Sequence, residues 1–289
     1  MFYKSIHTSK QAIHQMLNRR MKESEIVSYL FDIIQQIRAD HSTMCCRLMY
    51  FKIKPEGVGR DKFESLCNDW GFVSEKSPNY RRTTYSEGVI RFDNLLADRV
   101  LTSINEAFCS DITYYYLNDR FYYITFIIDA YSRYIIGHSV SKRLTTEQTT
   151  LPALQMAIKH RSNFLPEGII FHSDGGGQYY DKAFLELTKK YKFKNSMCEY
   201  AYENGKAERI NGVIKNNYLK HRSIHNFEEL MKNVDHCVSL YNTEKPHKSL
   251  KYKTPLQVEK ELLYSQQPTM PTMTKSLNAE SQIYGASSP

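Results

Sequence analysis

The sequence predicts an α/β fold: a mixed five-stranded sheet flanked by helices, preceded by a small, mostly helical N-terminal region. Three observations predict it. Three successive segments between residues 109 and 140 are rich in Ile, Tyr, Phe and Thr, as in an antiparallel meander. After them, short apolar runs alternate with helical patterns, the order of a mixed sheet with helices on its faces. Before residue 100, apolar residues recur at helical spacing. These textures divide the chain into an N-terminal region (1–100), a core with C-terminal helices (101–264) and a tail (265–289).

In the N-terminal region, Ile26, Leu30, Ile33, Ile34 and Ile37 lie three and four residues apart, one face of a helix. A turn at Lys54–Gly59 leads into a second helical segment, Asp61–Asp69. The three strands of the meander are Cys109–Leu117, Phe121–Ala130 and Arg133–Val140, broken at Asn118–Arg120 and Tyr131–Ser132. Thr145–Thr150 then offer cap residues for a helix carrying Leu151, Leu154, Ala157 and Ile158. Pro152 is tolerated if it falls in the first turn, where its missing N–H is not needed. A strand at Gly168–His172, a helix at Asp181–Tyr191, a strand at Phe193–Met197 and a helix at Glu203–Lys220 follow. Helices at Asn226–Tyr241 and Pro255–Leu263 close the ordered part. Ser265–Pro289 is Ser, Thr, Gln and Pro with scattered apolar residues and predicts a disordered tail. The order β-β-β-α-β-α-β-α is that of the ribonuclease H-like fold.

The 289 residues carry 39 Lys and Arg against 31 Asp and Glu, a net +8 that favours a polyanionic partner. The longest apolar stretch, Ile124–Ala130, is far short of the roughly 20 residues a bilayer requires. Met1–Lys10 has no secretory pattern, and six cysteines without a CxxC pair or zinc-finger spacing argue against a disulfide framework or a structural zinc. The expectation is a reduced, cytoplasmic protein, nucleoid-associated and away from membranes.

Two acids sit where a sheet presents residues to solvent. Asp111 lies in the first strand and Asp174 just beyond the fourth, before three consecutive glycines. Taken alone, Asp174 reads better as a turn-forming residue. Glu208 changes the balance. In its helix Ile210, Val213 and Ile214 cluster on one side, while Glu208, Asn211, Gly212 and Lys215 line the other. That side is either an ordinary solvated face or one that lets a phosphate backbone approach while Lys215 neutralises it. Three converging carboxylates repel unless cations neutralise them, and all-oxygen donors suit Mg²⁺ or Mn²⁺. Two such ions about 3.5–4 Å apart clamp in-line phosphoryl transfer.

Five blocks then occur in order: Asp111-Ile-Thr-Tyr114, Ile128-Asp-Ala-Tyr-Ser-Arg-Tyr-Ile-Ile-Gly137, His172-Ser-Asp-Gly-Gly-Gly-Gln-Tyr179, Tyr202-Glu-Asn-Gly-Lys-Ala-Glu-Arg209 and Tyr241-Asn-Thr-Glu-Lys-Pro-His-Lys-Ser-Leu250. Together they resemble the integrase-core transposases of bacterial insertion sequences, specifically the second-reading-frame product of the insertion-sequence-three family, relatives of retroviral integrases with a DDE triad. The resemblance runs from Ile37 to Glu259. It implies that Asp111, Asp174 and Glu208 are the catalytic and metal-binding triad, holding two Mg²⁺ or Mn²⁺ ions. Asp129 matches a position outside the triad and reads as a structural strand-end acid. His172, Ser173, Gln178 and Tyr179 surround the second acid, shaping the site or touching DNA. Lys215 falls where retroviral integrases carry a DNA-contacting lysine. Asn242, Pro246 and His247 match a family block in which Lys245 replaces an arginine, keeping the charge but losing bidentate contact. Phe108 stands where a tryptophan is common, and the 33 residues between Asp174 and Glu208 are slightly fewer than the family's spacing.

The implied activity is that of a polynucleotidyl transferase: metal-dependent strand cleavage, then 3′-OH strand transfer, by a homo-oligomer acting on insertion-sequence ends and target DNA. Arg38-Ala-Asp-His41, Gly57-Val-Gly-Arg60 and Arg81-Arg-Thr-Thr84 match the family's linker, and a first-reading-frame helix-turn-helix product is the implied partner. Residues 182–222 hold ten Lys and Arg against four Glu, +6 around the third acid. Lys206, Arg209, Asn211 and Lys215 there, Gln178 and Tyr179 near the second acid, and Arg81 and Arg82 in the N-terminal region are the expected DNA-binding residues. Two other readings compete: a non-catalytic DNA-binding repressor from a decayed element, whose salt-dependent binding would survive loss of the acids, and an unrelated ribonuclease H-like nuclease.

Overall fold

The computed structural model describes residues 9–73, 91–162, 165–198 and 201–265. Of the tail expected to be disordered, Ser265 is instead the last residue of a helix, and Gln266 onward lies outside the described residues, as do Arg81 and Arg82.

The N-terminal region holds three helices. α1 (Lys10–Asp40) starts at Ser9, whose hydroxyl accepts from the Ala12 amide at 3.1 Å. It begins 16 residues before the expected apolar face, which starts at Ile26, and residues 10–25 are mostly exposed, Met16, Leu17 and Met21 included. α2 (Cys46–Ile53), which the sequence pattern did not reveal, ends at Lys54 in the left-handed region (φ 50°), and α3 (Arg60–Asp69) follows the expected turn. Leu30, Ile34 and Ile37 of α1 pack with Met44, Met49, Phe63 and Cys67 in a small separate core.

The sheet is formed by β1 (Ala107–Leu117), β2 (Arg120–Asp129), β3 (Ile135–Ser141), β4 (Ile170–Ser173) and β5 (Lys194–Met197), in the order β3-β2-β1-β4-β5. The first three strands are antiparallel neighbours, whereas β4 and β5 run parallel to β1 and require crossovers. This is the ribonuclease H-like arrangement. The β1–β2 turn has two residues, Asn118 and Asp119, both at positive φ (50° and 57°), the geometry that matches the strands' own twist.

Helices cover both faces. α4 (Thr150–Arg161) and α5 (Lys182–Lys190) seal the core of Phe108, Ile127, Phe171 and Phe184. α6 (Gly205–Val213) and α7 (Phe227–Thr243) cover Ile124, Phe126 and Ile128 on the other face. Gly137 of β3 lets α4 come close: a Cβ there would lie 2.2 Å from the Ala153 carbonyl oxygen. The helix expected over Glu203–Lys220 is not continuous. Tight turns flank α6 at Ala201–Asn204 and Leu219–His221, and between them Ile214–Tyr218 forms a wide turn in which the Leu219 amide reaches back five residues to the Ile214 carbonyl.

α8 (Pro255–Ser265) returns to the strand ends. Arg161 makes a bidentate pair with Glu259 there, and its guanidinium lies 3.8 Å from Asp129. The N-terminal helices join the core through His41, whose Nδ1 lies 3.0 Å from the Tyr218 hydroxyl, and through Lys52, 2.8 Å from Glu244.

Candidate active site

β1 and β4 run side by side only over Ala107–Cys109 and Ile170–His172. Beyond that point no strand among the described residues pairs with this edge of β1. Continued two residues, the register sets Asp111 level with Asp174, about one strand spacing away. Both side chains are half-buried. Asp111 Oδ1 accepts from the Ile112 amide at 2.9 Å, and Asp174 Oδ1 accepts from the Gly176 amide at 3.2 Å. A Cβ at Gly176 would stand 3.0 Å from that same Asp174 oxygen, so the glycine keeps the loop folded tightly against the acid. Tyr179 lies beneath both carboxylates, its hydroxyl 2.8 Å from Ser110 Oγ. Burial raises its phenol well above the ordinary value, and the charges of Asp174 and Asp111 raise it further.

α6 is tied to β1 twice. Asn204 Nδ2 donates to the Ser110 carbonyl at 2.9 Å, and Asn211 Nδ2 donates to Asp111 Oδ2 at 2.8 Å. Glu208 lies four residues after the first anchor and three before the second, so it shares their stripe, as does Lys215 four residues further on. The face read from sequence as either solvated or phosphate-facing therefore lies along the open edge of β1. Asn204 was not singled out from the sequence; its place as the first member of the 204-208-211-215 stripe is the signal that could have found it. Among the described residues, no three His, Cys, Asp or Glu side chains are gathered closely enough to hold a metal ion.

The expected DNA-binding residues among those described divide into four groups. Asn211 and Tyr179 are 6% and 2% exposed, so they support the acids from within and offer DNA no free surface. Gln178 is half-buried, its amide 3.4 Å from the Leu144 carbonyl. Lys206 and Arg209, at about 200° and 100° around the helix from Glu208, fall on the flank away from the Asn204–Asn211 stripe. There they meet Arg133, Lys245 and His247. Burial, then the neighbouring cations, lowers the pKa of Lys206, Arg133 and Lys245, and takes His247 down to about 3. None of the four Lys and Arg side chains is in an ion pair among the described residues. Lys215 lies on the open edge of β1, in the wide turn after α6.

Asp129 is wholly buried. Its carboxylate accepts from the amides of Asn105, Tyr131 and Ser132 at 2.7–3.0 Å, which suits a strand-end structural acid. His172 is buried with Nδ1 2.9 Å from Ser196 Oγ, so it shapes the floor beside Asp174. Asn242 donates to the Ile135 carbonyl and accepts from the Ile135 amide, closing the start of β3.

Residues 102–202 match the integrase core domain family, and residues 189–255 match a second family of the same description. A transposase for insertion sequence element IS629 from Shigella sonnei is 31% identical over 260 residues, covering 88% of this chain and 86% of that protein. Transposase InsF for insertion sequence IS3A of Escherichia coli (strain K12) is 33% identical over 129 residues, 44% of each chain. Among solved structures, the HTLV-2 integrase catalytic core domain in complex with magnesium aligns with 54% of this chain and 96% of its own, at 19% identity and a TM-score of 0.42. A match over nearly the whole length to an insertion-sequence transposase, with the integrase core laid across the sheet just described, establishes that the chain belongs to the integrase-core transposases of the insertion-sequence-three family.

Proposed function

We propose that this chain is a DNA transposase that cuts a phosphodiester at an element end and joins the freed 3′-OH to a second phosphodiester, with Asp111, Asp174 and Glu208 as its reacting acids. The observation that carries the reading is the Asn211–Asp111 hydrogen bond, because it locks the stripe bearing Glu208 against the strand edge where Asp111 meets Asp174.

Oxygen donors dominate the site. Cys198, the thiol that feels the charges of Asp174 and Asp111, is buried and pushed up to about 12, first by burial and then by Asp174. That donor chemistry fits Mg²⁺ or Mn²⁺, two ions by analogy with the family, and Asp111, Asp174 and Glu208 would hold them once drawn closer together than they stand here. Bound there, the ions would activate an attacking oxygen and offset charge on the leaving one. The chain's own part is positioning. Asn211 fixes the rotation of the Asp111 carboxylate, and the Gly176 amide fixes that of Asp174.

The first step adds water to phosphorus and releases a 3′-OH. In the second, that hydroxyl forms one P–O bond as another breaks. No covalent enzyme intermediate is needed. The same reading takes element ends and target DNA as substrates and a homo-oligomer as the working form. A first-reading-frame helix-turn-helix partner rests on the sequence resemblance alone. No helix among the described residues is long and apolar enough to cross a membrane.

Asp111→Asn, Asp174→Asn and Glu208→Gln, assayed with Mg²⁺ on end-bearing duplexes, should each lose roughly 10³-fold in cleavage and strand transfer, several kcal/mol of charge stabilisation. DNA binding should persist. Wild-type turnover in any one variant removes that residue from the reaction.

A further inference from the structure

The flank of α6 turned away from the acids carries more positive charge than the chain offsets. Arg209 stands at its centre. Its charge is felt by Arg133, in the turn between β2 and β3, and by Lys245 and His247, in the loop after α7. Lys206 adjoins Arg133. Lysine is almost never buried without a partner. Lys245 is nevertheless only 9% exposed, and its ammonium has neither an ion pair nor a hydrogen bond among the described residues. His247 Nε2 is buried with no hydrogen-bond partner, its ring set edge-on to Tyr241 with centroids 4.7 Å apart. Arg133 occupies left-handed backbone (φ 65°), where glycine or asparagine is the easier residue. The acid whose charge reaches Arg133 and Lys206 is Asp129, which is already held by three backbone amides and lies beside Arg161.

We propose that Arg133, Lys206, Arg209, Lys245 and the His247 imidazole form a phosphate-binding site separate from the three acids. Gathering four cations costs the chain free energy on its own, because like charges repel and a buried charge without a partner is expensive. The arrangement becomes favourable once an anion with several oxygens sits among them. A phosphate brings up to two charges and three or more acceptors, which suit two guanidinium forks, two ammonium groups and an imidazole. A carboxylate brings one charge and two oxygens, too few for this set. Position keeps the site apart from the acids. Arg133 lies four residues after Asp129, whose partner Phe108 is three residues before Asp111 on β1, about 10 Å along the strand. Lys206 and Arg209 stand about 140–160° around α6 from Asn211, the residue that holds Asp111. The phosphate belongs to a DNA backbone crossing this far flank or to a small free phosphate, sources that binding measurements separate.

Thermal melting of the full chain in phosphate and in chloride, at matched ionic strength and pH 7.5 without divalent metal, tests the site. Inorganic phosphate at ten times its Kd should raise the wild-type midpoint by about 3–6 °C over chloride. Acetate should not reproduce the rise. Lys245→Met and Arg133→Asn should each abolish it, and in chloride both should melt no lower than wild type, since each removes a cation that nothing offsets. That sign separates a ligand site from a structural role, in which both variants would melt lower in every salt. Asp111→Asn should keep the full rise, so loss of the catalytic reading leaves the phosphate site standing. Fluorescence anisotropy with a duplex then identifies the source. A severalfold loss of duplex affinity in Lys245→Met, with a salt slope smaller by about one, assigns the phosphate to a DNA backbone; unchanged affinity assigns it to a small free phosphate. Equal wild-type midpoints in phosphate and chloride, an equal rise with acetate, variants that keep the rise, or variants that melt lower in chloride overturn the proposal.

Discussion

Arg161 gives the sharpest test of how the strand ends are held. It is 5% exposed and lies between Glu259 of α8, with which it makes a bidentate pair, and Asp129 of β2, at 3.8 Å. Both acids are buried, and Ser132 donates a further 2.6 Å hydrogen bond to Glu259. Arg161→Met leaves two carboxylates out of water with no cation between them, which costs about 3–5 kcal/mol. At roughly 2–4 °C per kcal/mol for a protein of this class, the midpoint should fall by about 6–20 °C. Replacing Glu259 as well, by Met, removes one of the stranded charges, so the double variant should recover part of the loss. Burial already holds the Asp129 carboxyl above its ordinary value despite three amide donors. A folded-state pKa raised in this way favours folding at low pH and is lost as pH rises through it, so the Arg161→Met deficit should shrink as the solution is acidified. Thermal melting by circular dichroism at pH 5 and pH 7.5 measures all three. A single variant within about 2 °C of wild type, or a double variant no better than the single, refutes the reasoning.

The remaining predictions concern pH, packing and the site. Burial holds His41 at about 4 and His247 at about 3, so the folded chain keeps both neutral while the unfolded chain protonates near 6.5. Stability should be full above about pH 6.5 and fall as pH drops below it, by about 2 kcal/mol per histidine at pH 5; urea midpoints across that range check it. Gly137→Ala drives a methyl into the α4 backbone at Ala153 and should cost about 1–3 kcal/mol, read from the shift in urea midpoint. Asn211→Ala frees the Asp111 carboxylate to rotate; cleavage should fall about 10–100-fold, with more Mg²⁺ needed for half-maximal rate and DNA affinity unchanged.

The meander was legible because its Ile, Tyr and Phe segments are longer than any loop would tolerate, and the strands fall within about two residues of the pattern at most ends. The two long crossovers followed from helical spacing. α2 was not legible, since its eight residues bury only Met49 and its cap, Cys45, makes no side-chain hydrogen bond. The first half of α1 carries Ile13, Met16, Leu17 and Met21 at helical spacing, but Met16, Leu17 and Met21 are exposed and join none of the buried cores among the described residues. Asp111 within β1 and Asp174 just past β4 stood out by their places on the sheet, but the side of α6 facing them could not be read. Helical arithmetic separates the Glu208 stripe from the Lys206–Arg209 flank without saying which one meets β1. That was decided by Asn204 and Asn211, through contacts 94 and 100 residues away in the chain. The buried Arg161–Glu259 pair spans 98 residues and leaves no local trace at all.

The same two asparagines bear on how the N-terminal helices reach the site. His41 closes α1 and touches the Tyr218 hydroxyl at the end of the wide turn, and that turn begins directly after α6. Its other nitrogen is 3.3 Å from Glu244, which Lys52 of α2 also contacts. The path from α1 to Asp111 therefore runs through one imidazole, one phenol, the wide turn and one amide, with His41, Ile214, Tyr218 and Asn211 all buried. Packed interiors of this kind move as units. A change in where the N-terminal helices sit would consequently be felt first at Lys215 and Asn211, before it reached either strand-borne acid, since β1 and β4 are held by the sheet.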